Sequence, residues 1–531
     1  MASFPGEWRA AAVERLEGEI ADLFVIGGGI VGSRVAYEGA RAGLKVVLID
    51  RGDFGGATSA ASSKLIHGGL RYLATGDLAL VRELQRERAV LRSQVAPHLV
   101  RPLSLVLAVE RSRSRKVTKL AAALALYAAV SDFSRPLPRI IRCRQAVELV
   151  PFDRSAIFAC GVVEEASTHD ARLALATARG ARHAGAVTLN YARVVAIERG
   201  RGLGAVRVVD GVSGEELTAR ARAVVNACGP WVDRVRSLED PKARPLTRLS
   251  KGVHAVLPLP DGWRAGLALF DDSRSAFAVP WQGMLLLGAT DTPVESDVLD
   301  AAPTPAEVET LLGWFRDVLP GLQASRVVSS FAGLRVLPPG RAGTARAPRR
   351  HVIDVGPSGT VSIAGGKLTN HRAIALDALA NLPSEVRPRR LRPSVEPLPG
   401  ALQTGADGLV QRVDARTAAH LLGLYGGEAA RVVAYADTDP HALEPIHGDG
   451  PDIWAQAQFA VDEELAVRAE DIAARRTTLG LRGLASAEVL GELGRLTRSG
   501  LELPVATGGT SRFPRTPSTG PLRGQSATRS G

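Results

Sequence analysis

The sequence predicts an α/β fold followed by a small all-α domain, and three observations predict it. Strand and helix signals alternate from Asp22 to about Asn370, as in a parallel or mixed sheet covered by helices. A glycine-rich strand-to-helix turn opens that run, and a second one closes it at Gly365-Gly366. From Asp414 to about Leu496, Ala, Leu, Glu and Arg recur at helical spacing.

The opening element is the most informative. Leu23-Phe24-Val25-Ile26 reads as an apolar strand and feeds Gly27-Gly28-Gly29-Ile30-Val31-Gly32, then a helix. Gly27 allows a tight turn, Gly29 lets the backbone approach a pyrophosphate, and Gly32 lets the helix pack closely on the sheet. The helix N-terminus then offers free N–H groups and the positive end of its dipole to phosphates. A second strand, Lys45 to Ile49, ends on Asp50, which is placed to accept from the ribose hydroxyls of an adenosine. An acid at this point argues against a cofactor with a 2′-phosphate.

The remaining elements follow in order. Residues 1–20 form a short charged leader, weakly helical from Glu7 to Glu19. Asp170 to His183 is a helix with Ser167 or Thr168 available as its cap. Strands follow around Val187–Tyr191, Val194–Glu198, Val206–Val209 and Ala221–Asn226. Val361 to Ala364 then runs into Gly365-Gly366 and a helix from Thr369, offering another helix N-terminus to the cofactor. Residues 386–400 are rich in proline and read as a linker, 401–500 as a helical domain. The segment 501–531 lacks Asp and Glu after Glu502 and reads as a disordered basic tail.

Composition sets the bounds. A chain of 531 residues suits two or three domains, and 45% hydrophobic with 23% charged residues is globular. Cys143, Cys160 and Cys228 show no C-x-x-C spacing, which excludes a cysteine zinc knuckle and a disulfide framework and predicts a reducing, cytoplasmic setting with no metal. No secretory signal and no apolar run of the ~20 residues needed to span a bilayer is visible. The net charge of +11 comes from dispersed arginines without a nucleic-acid-reading motif, so no nucleic-acid partner is expected. Arg111-Ser112-Arg113-Ser114-Arg115-Lys116, with Lys119, precedes the apolar run Leu120 to Val130. This 111–130 segment fits either an anionic membrane surface or an ordinary core helix behind a basic loop.

Several segments carry a family resemblance: Ile26 to Gly32, TSAASSKLIHGGLRYL at Thr58 to Leu73, APHLVRP at Ala96 to Pro102 and VNACGPWVD at Val225 to Asp233. KGVHAVLP at Lys251 to Pro258, VPWQGMLLLGATD at Val279 to Asp291, FAGLRVL at Phe331 to Leu337 and GGKLTNHR at Gly365 to Arg372 continue it. The chain resembles the FAD-dependent glycerol-3-phosphate dehydrogenases over roughly residues 20 to 500. The resemblance implies a glutathione-reductase-like FAD-binding Rossmann domain (21–385) interleaved with a mixed-sheet substrate domain (cap roughly 100–160 and 245–335), then the helical domain. It implies non-covalent FAD, glycerol 3-phosphate as substrate, a membrane quinone as acceptor, a homodimer, and peripheral association with the inner face of the cell membrane.

The resemblance also distributes roles. Cofactor contacts fall on Gly27, Gly28, Gly29, Ile30, Val31, Gly32, Asp50, Thr58, Ser59, Ser63, Lys64, Leu65, His67, Gly69, Val194, Gly229, Gly366, Lys367, Leu368 and Thr369. A dianionic phosphate needs several fixed cations, and guanidinium geometry suits it. Arg335 and Arg349 are assigned mainly to phosphate, with Arg350 competing for the role of Arg349; Arg71 and Lys367 lie nearer the reacting carbon. Tyr72, Thr290 and Thr369 are hydrogen-bonding neighbours. The proton acceptor is open among His254, His67 and a Lys367 of depressed pKa. Trp231 and Trp281 read as core.

Two departures from the family pattern bear on the substrate: Asn370-His371 stand where the family commonly has threonine and tyrosine, and Val163 to Ala166 lacks a tyrosine. A flavoprotein oxidase of amines, amino acids or another polyol (phosphate), and a flavin-bound protein without turnover, are the alternatives. A nicotinamide dehydrogenase is disfavoured by SSKLIHGG and the late glycine-rich element.

Overall fold

The computed structural model describes residues 5–131, 136–199, 202–270, 275–294, 301–340, 350–402 and 408–501. The first half contains α1 (Pro5–Gly18), β1 (Ile20–Ile26), α2 (Ile30–Arg41), β2 (Val46–Ile49), β3 (Leu65–Ile66), α3 (Leu78–Val90), β4 (Val100–Glu110), α4 (Val117–Val130), β5 (Arg139–Ile141), α5 (Cys143–Val147), β6 (Ile157–Thr168) and α6 (Asp170–His183). Next come β7 (Val187–Leu189), β8 (Ala192–Arg199), β9 (Gly204–Asp210), β10 (Glu216–Asn226), α7 (Val232–Glu239), β11 (Arg248–Pro258), β12 (Gly266–Phe270), β13 (Ser275–Trp281), β14 (Met284–Gly288) and β15 (Thr292–Val294). The last before the helical domain are α8 (Pro305–Gly313), β16 (Ser329–Leu337), β17 (Val352–Val355), β18 (Val361–Ala364) and α9 (His371–Ala380).

A strand buried on both faces must be apolar there, and β1 is apolar from Leu23 to Ile26: Leu23, Phe24 and Val25 are fully buried. It lies between β10 and β2, all parallel, in the order β17-β18-β10-β1-β2-β7; β9 pairs with β10 and with β8. Strands β18, β10, β1, β2 and β7 point the same way, so their carboxyl ends bring Gly27, Asp50, Gly229 and Gly365 to one edge. That edge is where ligands bind in open α/β sheets. The core shared by α2, α6 and α9 covers one face of the sheet.

A second, mixed sheet runs β15-β11-β14-β13-β12-β4-β6-β3, with β16 beside β11 and β5 beside β6. Its strands alternate in sequence with those of the first sheet, so the two are interleaved. The C-terminal segment is helical, with principal helices over Ala415–Tyr425, Trp454–Asp462 and Ala487–Leu501. Leu421, Leu424, Tyr425 and Phe459 form its core. It is tied to α6 by Arg172–Glu464 at 2.7 Å and by both Arg179–Glu428 bonds at 2.6 and 2.9 Å. Among the described residues, no helix is long and apolar enough to cross a membrane.

The structure adds to or changes several sequence expectations. The leader is helical over α1, which packs on β10 and β7; Trp8 is buried, and Arg9 reaches Asp210 and the carbonyl of Asn190. The cap of α6 is His169, whose Nδ1 accepts from Arg172 N–H at 3.4 Å, and not Ser167 or Thr168, because β6 extends through Thr168. The stretch 386–400 is strapped to the first domain, its Ser394 carbonyl accepting from Arg34 at 2.8 Å and Arg372 at 2.9 Å. The predicted tail, 502–531, lies outside the described residues.

Candidate active site

The carboxyl edge of the first sheet opens into a cavity of about 2770 Å³, several times the ~300–1,000 Å³ of an ordinary small-molecule site. Gly27, Gly29, Ile30 and Val31 line it, and the backbone geometry explains the glycines. Gly27 has φ +105°, and a Cβ on Gly32 would lie 1.8 Å from the Gly27 carbonyl oxygen. Gly29 caps α2 without a side chain, and Ser59 Oγ accepts the Ile30 N–H at 2.9 Å. Asp50 shapes this turn from the end of β2, accepting from Gly28 N–H at 2.7 Å and Gly52 N–H at 2.8 Å. Desolvation raises the Asp50 pKa, while these two N–H groups oppose the rise. A bare glycine cradle at a helix N-terminus with an acid beyond it fits the pyrophosphate and ribose of an adenine dinucleotide.

The cavity continues past Thr58, Ser59, Ser63, Leu65 and His67 to Gly366, Lys367, Leu368 and Thr369. Val194 and Gly229 line it as well. Gly365 and Gly366 have φ +77° and +82°, so the chain turns out of β18 in a conformation side chains resist. Thr369 Oγ1 donates to the His67 carbonyl at 3.4 Å, joining the late glycine turn to the SSKLIHGG segment.

Arg71, Arg335 and Lys367 all line the cavity. Lys367 Nζ stands 4.6 Å, and the Arg71 guanidinium 5.4 Å, from the centre of the buried Tyr72 ring. The Arg335 guanidinium rests on Gly252, donates to the Thr290 carbonyl at 2.7 Å and lies 3.5 Å from Asp291. Thr290 Oγ1 accepts the Val253 N–H at 2.9 Å, so it braces β11 as well as holding Arg335. His254 lies beside these groups, stacked on Phe331 at 4.7 Å with Nε2 2.9 Å from Ser63 Oγ. Burial holds its imidazole well below the ordinary histidine pKa, and Arg335 and Lys64 act in the same direction.

Other predicted residues fall elsewhere. Lys64 does not line the cavity; its Nζ is buried, 2.5 Å from Asp170 and 2.8 Å from the Ala60 carbonyl, because Lys64 has φ +57° and turns inward. Gly28, Gly32 and Gly69 pack behind the cavity wall and do not line it: a Cβ on Gly28 would strike Phe54, and one on Gly69 would strike Leu84 and Tyr72. Arg349 lies outside the described residues. Its neighbour Arg350 lines the cavity and forms a bidentate pair with Asp77 at 2.6 and 3.0 Å. Trp281 is core, donating to the Thr168 carbonyl, whereas Trp231 lines the cavity beneath the Arg51 guanidinium.

The departures also find places. Asn370 Oδ1 accepts the Lys367 N–H at 3.1 Å and its Nδ2 donates to Glu83 at 2.7 Å; His371 is fully buried on the Leu368 carbonyl. Neither lines the cavity; Asn370 supports the Lys367 turn from behind it. Glu165, in the segment lacking a tyrosine, does line it. Sequence reading missed Glu165, Arg51, Asp53, Arg468 and Arg475 as cavity residues, because their partners lie far away in the chain.

The fold and this site define a flavin-dinucleotide oxidoreductase. A family model described as FAD dependent oxidoreductase matches residues 22–372, and one described as C-terminal domain of alpha-glycerophosphate oxidase matches residues 393–502. The glycerol-3-phosphate dehydrogenase of Mycobacterium leprae is 35% identical over 91% of this chain and 86% of its own length. That of Synechocystis sp. is 35% identical over 87% and 89%. The crystal structure of the glycerol-3-phosphate dehydrogenase from Bacillus halodurans, complexed with FAD, superposes with a TM-score of 0.76 at 25% identity, covering 94% of each chain. The chain belongs to the FAD-dependent glycerol-3-phosphate dehydrogenase family, and its cofactor is FAD.

Proposed function

We propose that the chain oxidises the C2 hydroxyl of sn-glycerol 3-phosphate to give dihydroxyacetone phosphate, and that the electrons leave to a membrane quinone. The observation that carries the substrate is that Arg71, Arg335 and Lys367 all line the cavity, Arg71 and Lys367 both over Tyr72, more cations than a lone carboxylate requires. Bound FAD, held non-covalently, supplies the two-electron acceptor, with flavin N5 receiving the hydride from C2. The protein's part is to bind and orient. Arg335, fixed by the Thr290 carbonyl, anchors the phosphate; Arg349, assigned the same role, lies outside the described residues. Arg71 and Lys367, both over Tyr72, lie toward the reacting carbon and offset the charge that develops on its oxygen. The hydroxyl proton goes to one of His67, His254 and Lys367. His254 is in contact with Ser63 on the cavity wall, and the burial that keeps its imidazole neutral also weakens it as a base.

The quinone reading draws on α4. This helix packs into the core through Leu124, Tyr127 and Val130, while its Lys119, Ala122 and Leu126, with Lys116 just before it, line the cavity. An apolar, lysine-flanked surface there suits peripheral contact with an anionic bilayer on the cytoplasmic side. Anaerobic bleaching of the flavin band near ~450 nm tests the substrate. Glycerol 3-phosphate should bleach it, while glycerol and amino acids should not. Bleaching by an amino acid alone would establish the oxidase reading. Reoxidation by a soluble quinone analogue much faster than by oxygen would support the acceptor.

A further inference from the structure

At the end marked by Asp50, the cavity wall is assembled from two distant parts of the chain. Arg51, Gly52 and Asp53 follow β2 and Tyr191 follows β7, whereas Arg468, Asp471 and Arg475 come from the C-terminal helical domain. The two parts are joined by a buried polar network. Asp53 accepts from Arg475, from Asn190 at 3.3 Å, and from both terminal nitrogens of Arg476, one of them at 2.9 Å. Asp471 accepts from the Tyr191 hydroxyl at 2.6 Å, from Arg475 at 2.6 Å, and from the Val467 and Arg468 N–H groups at 2.9 and 2.8 Å. At the rim, the exposed Arg468 guanidinium lies 4.4 Å from the centre of the Tyr191 ring.

This network is mechanically continuous with the cradle. Asp53 is three residues beyond Asp50; Gly52 accepts the Tyr191 N–H at 2.9 Å, and Gly28 accepts the Gly55 N–H at 2.9 Å. Buried ionic groups are a poor way to glue domains, since apolar packing of the same volume is commonly as stable. What they contribute is registry, and here they hold arginines against a site for an anionic dinucleotide.

We infer that the C-terminal helical domain is part of the dinucleotide site: Arg468 and Arg475 complete the wall around the adenosine half of FAD, so that cofactor retention depends on this domain. The inference rests on the orientation set by Asp50 and the glycine cradle and is independent of the substrate.

The test is FAD release from the full-length holoprotein, followed by the rise in flavin fluorescence after dilution, in Arg468→Ala and Tyr191→Phe. Arg468→Ala removes an exposed guanidinium and leaves the buried network intact. Release about tenfold faster, with the flavin-free protein melting as the parent does, is the expected result. Release unchanged in Arg468→Ala overturns the inference. Faster release accompanied by an equal loss of stability in the flavin-free protein also overturns it, by showing the contact to be domain adhesion alone. Failure of glycerol 3-phosphate to bleach the flavin would leave this release measurement unaffected.

Discussion

Glu165 accepts the amide hydrogen of Gly68 at 2.7 Å from a position 2% exposed, and so pins the His67–Gly69 turn to β6. The same carboxylate takes the Tyr127 hydroxyl of α4 at 2.6 Å and the Arg88 guanidinium of α3. A segment that carries His67 and leads to Arg71 is thereby held by two helices and a strand. The Gly68-Gly69 pair of the SSKLIHGG segment owes its first member to this packing, since a Cβ on Gly68 would lie 2.1 Å from the Tyr127 hydroxyl.

Gly68→Ala should therefore be destabilising by about 1–3 kcal/mol through overpacking. Adding Tyr127→Phe should recover part of that loss, because the clashing oxygen is gone. Denaturant unfolding of the two single variants and the double variant measures the coupling; strict additivity would contradict the contact.

Arg335→Ala should reduce kcat/KM for glycerol 3-phosphate by about 10- to 150-fold, the effect of losing ~1.5–3 kcal/mol of charged hydrogen bonding. Arg335→Lys should fall between the two, since an ammonium cannot hold the Thr290 carbonyl and a phosphate in one planar fork. Steady-state kinetics with saturating acceptor decide it.

Lys64→Met should act on stability and leave the flavin spectrum of the folded protein unchanged. The lysine faces Asp170 and the Ala60 carbonyl, so its removal strands a fully buried carboxylate, a loss of about 3–5 kcal/mol. A shifted flavin absorbance with unchanged melting would show instead that Lys64 touches the cofactor.

Acid should destabilise the fold before the carboxylates titrate. Burial lowers the pKa of His98 and of His371 from 6.5 to about 3 in each case. Between those values the unfolded chain binds a proton that the folded chain refuses, so stability is complete above pH ~6.5 and falls toward pH ~3. Each histidine contributes up to ~1.4 kcal/mol per pH unit in that window. Melting temperatures from pH 7.5 to 4.5 should drop more shallowly in His98→Gln than in the parent; an equal slope would contradict the buried neutral imidazole.

Much of this protein was legible in its residues, and the legible part shares a cause. The Gly27–Gly32 turn, Asp50 at the end of β2 and the Gly365-Gly366 turn after β18 are local: each is set by backbone sterics and burial within a few residues, so the sequence carries the signal directly. The same holds for the alternation that distinguishes the α/β part from the helical end. The family motifs added residues that no local rule selects, such as Arg335 and Lys367, and both line the cavity.

What only the tertiary structure decided is where a charge finds its partner. Lys64 turning to Asp170, Asn370 reaching Glu83, and Arg475 and Arg476 closing on Asp53 span 106, 287, 422 and 423 positions. By itself the sequence determined the dinucleotide cradle, the alternation of strands and helices and the stock of cations, because these follow from local conformational preference and hydrophobic period. It could not decide which cations face the cavity and which are consumed inside the fold. That choice is made by desolvation, which forbids an unpaired charge in the interior and is resolved only when distant segments meet.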